Sequence, residues 1–271
     1  MQLVRKETNT ELLEGKRLKE LEMNSDFVLC KFSDGSICKA GIVIGADGAN
    51  SVVKRYVERE TNTNENSCAA VRAYVEGVSG LQEGTNEFYY LKNYLPGYLW
   101  IFPLKDGAAN IGFGMEMKKT KSVNLREMFL KIIQEEPIIS SRFKNAKIVG
   151  EVKGFGLPMF STKRKISAQR VLLCGDAASL IDPLMGHGID KAFTSGYLAA
   201  KQIELCFKIN DFSMEYAALY DQSVYSAVGS ELKRSKQLVQ LINRSPFVIN
   251  VFAKLAQNKR VFNWLVKVVK I

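Results

Sequence analysis

Val171-Leu172-Leu173-Cys174 runs without interruption into Gly175-Asp176-Ala177-Ala178, and Pro183-Leu184-Met185-Gly186-His187-Gly188 follows a few residues later. A buried strand that delivers a carboxylate at its C-terminal end places it on the edge where open α/β sheets take their ligands. Gly186 and Gly188 then stand at the mouth of a helix. Glycines permit close approach of the backbone, and the free N–H groups and dipole of a helix start favour a partly negative group. The alternative reading of the same residues is a tight turn that packs the helix and nothing more.

A second stretch repeats the arrangement. Gly41-Ile42-Val43-Ile44-Gly45 reads as a buried strand, and Ala46-Asp47-Gly48-Ala49-Asn50-Ser51 carries it into a short helix from Val52 to Val57. Asp-Gly is the commonest of turns, so this signal is weaker alone. Between the two lies Tyr98-Leu99-Trp100-Ile101-Phe102-Pro103, with Gly112-Phe113-Gly114 downstream. Alternate residues of a strand point the same way, so Tyr98, Trp100 and Phe102 share one face. They line an apolar channel or belong to ordinary sheet core.

Taken together, these residues carry a resemblance. Gly-Ala-Asp-Gly-Ala-Asn-Ser and Cys-Gly-Asp-Ala-Ala…Pro-Leu-x-Gly-x-Gly are similar to the second and third FAD signatures of the p-hydroxybenzoate hydroxylase-like flavoproteins. The Tyr-x-Trp-x-Phe-Pro…Gly-x-Gly segment resembles a motif of the geranylgeranyl reductase family, which saturates isoprenoid double bonds. The resemblance implies FAD as cofactor. It implies that Asp176 hydrogen-bonds the ribityl chain, with Gly175 and Pro183 in the same motif. It also implies that Gly186, His187 and Gly188 present backbone to the pyrimidine edge of the flavin, where the reduced ring carries charge. Asp47 and Gly48 help hold the cofactor and organise the adjoining strand. Tyr98, Trp100, Phe102, Pro103, Gly112 and Gly114 are the substrate-side residues. Two departures stand out: Lys54 where the family usually has arginine, and His187 where a small residue is common. No G-x-G-x-x-G occurs in the sequence. The βαβ unit that receives the ADP half of FAD is therefore expected to be missing, which leaves the pyrophosphate without its helix N-terminus.

The elements that position these residues are legible from pattern. Phe27–Phe32 and Ile37–Ala40 flank Ser33-Asp34-Gly35-Ser36 and predict a β-hairpin. Strand-like runs occupy 68–76, 86–91, 98–104 and 108–117, a helical period spans 124–136 up to Pro137, and a further strand covers 146–156. A long helix is expected from Gly188 to Phe207, with helices thereafter. The predicted fold is mixed α/β and α+β: a truncated FAD/NAD(P)-binding domain (1–58 and 160–207), an antiparallel-sheet substrate domain (59–159) and basic C-terminal helices (208–271).

Composition bounds the rest. With 46% hydrophobic and 24% charged residues, the 271-residue chain can bury a sizeable core, and wholesale disorder is excluded. No apolar run is long enough to span a bilayer, and Met1–Glu7 lacks the apolar region of a signal peptide. The five cysteines form no C-x-x-C pair, which predicts reduced core thiols in a cytoplasmic protein. One histidine, His187, removes most His-based metal and triad chemistry.

The net charge of +10 resides at the C-terminus: from Leu232 onward there are nine Lys/Arg and no Asp or Glu. Leu238, Leu241 and Ile242 recur at helical spacing there, and Ser245-Pro246 reads as a cap before a further amphipathic run through Val269. The pattern predicts helices packed on the body with a solvated basic face, or a face that also lies on the anionic inner surface of a membrane. No nucleic-acid motif accompanies the charge, so no nucleic acid is expected as a partner. The expected activity is FAD-dependent reduction of C=C bonds in a prenyl lipid. The rival readings are a flavin-dependent monooxygenase and a non-enzymatic lipid-binding remnant. No residue marks the electron donor or the catalytic proton donor.

Overall fold

The computed structural model describes residues 10–57, 67–95, 97–116 and 124–245, together with 254 and 258. The amphipathic run expected after Pro246 lies outside these residues. Among the described residues there are eleven strands and four α-helices, and the chain divides into two compact units.

The first unit comprises residues 1–61, 164–178 and 193–224. Its antiparallel sheet joins β1 (Leu18–Met23), β2 (Val28–Phe32) and β3 (Ile37–Ala40) in that order. The Asp34-Gly35 turn closes β2 onto β3, with Gly35 at φ +83° and the Ser36 N–H donating to Asp34 Oδ1 at 3.0 Å. β1 was not legible in the sequence. Its LKELEM buries Leu21 alone, so no apolar alternation announces it.

A second sheet of this unit runs β10 (Ser167–Ala168), β11 (Val171–Leu173), β4 (Val43–Gly45). β4 and β11 are parallel, with Val43 opposite Val171 and Gly45 opposite Leu173. Val171, Leu172 and Leu173 are all fully buried, as an uninterrupted apolar run in a parallel pair should be. α1 (Lys54–Val57) follows β4. The fully buried Tyr220 donates from its hydroxyl to the Leu173 carbonyl at 2.7 Å, which ties its helix to β11.

The second unit comprises residues 62–163, 179–192 and 225–271. Its five-stranded antiparallel sheet has the order β6 (Glu87–Tyr89), β7 (Tyr98–Pro103), β8 (Ala108–Glu116), β5 (Ser67–Glu76), β9 (Lys147–Pro158). α2 (Leu125–Glu135) starts at Asn124, whose side chain accepts from the Arg126 and Glu127 N–H groups. Phe129, Ile132 and Ile133 of α2 form the core with Leu99, Ile101, Ala109, Ile111, Phe113 and Val71 of the sheet. Odd and even positions of β7 therefore part: Leu99 and Ile101 are buried in the core, while Tyr98, Trp100 and Phe102 are half-buried on the other side.

Two long helices follow, α3 (Ile189–Ile209) and α4 (Met214–Arg244). Among the described residues, no helix is long and apolar enough to cross a membrane. The architecture is mixed α/β with antiparallel sheets and C-terminal helices, as the sequence predicts.

Candidate functional site

In the first unit, the parallel register brings both carboxylate-bearing turns to the carboxyl ends of neighbouring strands. The Cys174 N–H donates to the Gly45 carbonyl at 2.9 Å, so Asp47 and Asp176 leave one sheet edge from adjacent strands. Gly45 has to be a glycine here. A Cβ would stand 2.7 Å from Val53 Cβ and 2.8 Å from Leu173 Cδ2. Gly48, at φ +76°, turns the chain back toward α1.

The two carboxylates differ in employment. Asp47 accepts from Ser51 Oγ at 2.5 Å, from the Val52 N–H at 2.7 Å and from the Val53 N–H at 3.3 Å. Its oxygens hold the turn into α1, whose buried first residue is Lys54. Asp176 sits in a 3-10 turn, Gly175–Ala178, where the Gly175 N–H donates to the buried Ser195 hydroxyl at 3.0 Å. Among the described residues nothing donates to the Asp176 carboxylate, and burial pushes its pKa up from 3.8. At this edge it is a carboxylate that no described donor engages.

In the second unit, Pro183, Gly186, His187 and Gly188 form one loop. Asp182, 1% exposed, organises it from within: Oδ1 accepts from the Leu184 and Met185 N–H groups at 2.8 and 2.9 Å. The Asp182 N–H donates to the His187 carbonyl, and the Gly186 N–H to the Asp182 carbonyl. Gly186 takes φ +68°, and the Gly188 carbonyl accepts from Ala192 in the first turn of α3. Asp182 lies outside the flavin signatures, and its signal in the sequence is the Asp-Pro pair ahead of a glycine that marks an Asx-type turn.

The aromatic residues of β7 gather on the sheet face away from the core. Tyr98, Trp100 and Phe102 are joined there by Phe88 of β6 and by Tyr90, with neighbouring ring centroids 5.4 to 6.2 Å apart. Phe88 and Tyr90 were not singled out in the sequence, though their alternation in the 86–91 run carries the signal. Trp100 stands opposite Gly112 in the register and donates from Nε1 to Asn110 Oδ1 at 3.1 Å. A Cβ on Gly112 would fall 2.1 Å from the indole, whereas one on Gly114 would make ordinary contacts at 3.6 Å or more. Pro103 ends the strand. Tyr98 donates from its hydroxyl to the Met185 carbonyl at 2.5 Å, and burial raises its pKa well above the usual phenol value.

His187, Asp190 and Glu231 bring three potential ligand atoms within 4.8 Å of one another. The buried Lys191 ammonium already occupies their midst, donating to Glu231 Oε1 at 2.5 Å and to Asp190 Oδ2 at 2.6 Å. A fixed ammonium meets the charge of those carboxylates, so the cluster is an ion-paired network centred on Lys191.

Residues 65–155 match the family model of the geranylgeranyl reductase catalytic domain. A digeranylgeranylglycerophospholipid reductase of Methanocella arvoryzae is 28% identical over 229 residues, covering 84% of this chain and 57% of that protein. The protein of the same name from Methanocaldococcus jannaschii is 31% identical over 230 residues, covering 82% and 57%. The chain thus spans 57% of the length of these curated relatives. Among solved structures, a geranylgeranyl bacteriochlorophyll reductase-like protein from Thermoplasma acidophilum matches with a TM-score of 0.70 at 21% identity, over 93% of this chain and 69% of that one. A flavin-dependent brominase matches with a TM-score of 0.69 at 17% identity, over 94% and 64%. At such identities the structural likeness shows the fold.

Proposed function

We propose, for a chain that belongs to the geranylgeranyl reductase family, FAD-dependent reduction of carbon–carbon double bonds in a prenyl lipid. The observation that carries this reading is the aromatic row of Tyr98, Trp100, Phe102, Phe88 and Tyr90, laid on the face of the sheet that the core does not use. A polyprenyl chain offers no hydrogen-bonding groups, so it is held by apolar area alone, and aromatic rings supply much of it. Tying Trp100 Nε1 to Asn110 and the Tyr98 hydroxyl to Met185 satisfies these two polar groups and leaves the ring surfaces to the substrate. The relatives' name, digeranylgeranylglycerophospholipid reductase, gives the substrate class proposed here.

The residues present fit FAD on chemical grounds. Asp176 offers acceptor oxygens that no donor among the described residues uses, which suits the hydroxyl groups of a ribityl chain. Gly175, Gly186, His187 and Gly188 would hold the cofactor through backbone, with Pro183 shaping the loop. Asp47 and Gly48 would act one step removed, by fixing the turn into α1. When bound, the flavin supplies the hydride that an isolated alkene needs. The role of the aromatic row is to keep water away from that transfer.

On this reading residues 1–58 and 160–207 contribute to the cofactor domain, 59–159 form the substrate domain, and 208–271 supply basic helices. Lys233, Arg234 and Arg244 are exposed on α4 together with Leu241, which suits approach to an anionic bilayer, where each basic residue adds about 1 kcal/mol. The test is to incubate the protein with FAD, a chemical reductant and a geranylgeranyl phospholipid, and to weigh the lipid by mass spectrometry. Hydrogen gain supports the proposal. A yellow, reducible protein that leaves the lipid mass unchanged sinks it.

A further inference from the structure

We propose that the first unit carries a second binding site, unrelated to the flavin residues, for a phosphoryl anion seated on Arg170. A cavity of about 520 Å³ is lined by Arg170, Phe212, Ser213, Asn210, Ser25 and Asp26 among others. That volume lies in the range of small-molecule sites.

Arg170 immediately precedes β11 and is 9% exposed. Its backbone is held at φ +58°, a region that a non-glycine residue occupies at some cost and only under constraint from its surroundings. The constraints are visible. Nε donates to the Ser25 carbonyl at 2.9 Å and Nη1 to the Gly41 carbonyl at 2.8 Å, while the guanidinium lies 4.1 Å from the centroid of the Phe212 ring.

These contacts orient the guanidinium without neutralising it. Among the described residues no carboxylate pairs with Arg170, and no donation from Nη2 to a protein acceptor is found. A guanidinium carries five donors in a planar fork suited to two oxygens of one anion. A buried cation without a counter-ion is costly, and an anion in the adjoining cavity removes that cost.

Ser213, on the same wall, opens the 31-residue α4 and accepts from the Tyr216 N–H at 3.2 Å, so the positive end of a long helix borders the cavity. Ser25, Gln169 and Asn210 bring side-chain polar groups that no described residue uses. Two carboxylates oppose an anion. Asp211 is engaged in capping the Ser213 N–H at 2.8 Å, and Asp26 stands on the cavity wall without an ion-pair partner among the described residues. The uncommitted polar side chains fit the hydroxyl groups of a phosphate ester.

Calorimetric titration of the protein with inorganic phosphate and with glycerol 1-phosphate, at constant ionic strength and with chloride as control, tests the site. Saturable binding of either phosphate, absent with chloride, is expected. A tighter ester assigns the site to a phosphorylated polyol, and equal binding assigns it to free phosphate. Arg170→Met should abolish binding. Because that variant can also fail to fold, Asp26→Asn provides an independent arm: removing a like charge from the wall should tighten phosphate about fivefold. Absence of saturable binding to the unaltered protein, or an Asp26→Asn variant with unchanged affinity, overturns the proposal.

Discussion

The Tyr98 hydroxyl donates to the carbonyl of Met185, 87 residues further along the chain, at 2.5 Å, so a side chain of β7 fixes the loop that carries Gly186. Asp182 holds the same loop through the Leu184 and Met185 N–H groups. Tyr98→Phe keeps the ring contacts and strands the Met185 carbonyl. The acceptor is only partly buried, so the loss should be about 1 kcal/mol, read from urea denaturation.

Gly112 and Gly114 make a matched pair. Gly112→Ala drives a Cβ into the Trp100 indole and toward the Val71 carbonyl, and overpacking of this kind costs about 1–3 kcal/mol. Trp100 must move, so the fluorescence maximum should shift as well. Gly114→Ala meets only ordinary contacts and should leave both stability and emission near those of the parent.

Asp47 is expected to act on stability before it acts on any ligand. Asp47→Ala removes an acceptor from Ser51 Oγ and two backbone N–H groups, for a loss of about 1–2 kcal/mol in the range of helix caps. Asp47→Asn retains one acceptor oxygen and should recover part of it. Equal denaturation midpoints for parent and Asp47→Ala would remove the capping role.

Asp176 should behave in the opposite sense. Burial raises its pKa, so without ligand the ionised form is disfavoured and Asp176→Asn should hold or raise the melting temperature. The same substitution removes a charged acceptor and should weaken FAD binding, measured by flavin fluorescence quenching. A variant that loses stability and binds FAD as well as the parent contradicts the role given to Asp176.

Acid sensitivity is expected at the Glu87–Arg142 pair. Arg142 donates from Nη1 and Nη2 to the Glu87 carboxylate at 2.5 and 2.9 Å, and these bonds hold the Glu87 pKa below its ordinary 4.5. A carboxylate whose folded pKa is depressed contributes stability that is fully present above the unfolded value and is lost as pH falls through the folded one. Glu87→Gln should therefore lower stability at neutral pH, and the difference from the parent should shrink as pH drops below 4.5. A gap that persists unchanged into acid points to packing as the cause.

Much of the fold was legible where burial repeats with a period. The alternation in Tyr98–Pro103 separated the core-facing Leu99 and Ile101 from the aromatic row, and the spacing of Phe129, Ile132 and Ile133 marked the buried stripe of α2. β1 escaped notice because a strand with one buried side chain leaves no such trace, and β10 because two residues hold no period. Lys191 also escaped. Its burial depends on Glu231, 40 residues away, which a reading of local pattern does not reach.

By itself, then, the amino-acid order determined which faces seek the core, where glycines release the backbone, and that two strands end in aspartates. Tertiary structure decided what those groups do. Parallel pairing of β4 with β11 put Asp47 and Asp176 on one edge, yet of the two it is Asp176 that has no donor among the described residues. Hydrophobic periodicity is a property of neighbours in sequence, whereas the partner of a hydroxyl, a carboxylate or a guanidinium is set by which distant backbone the folded chain brings within about 3 Å of it.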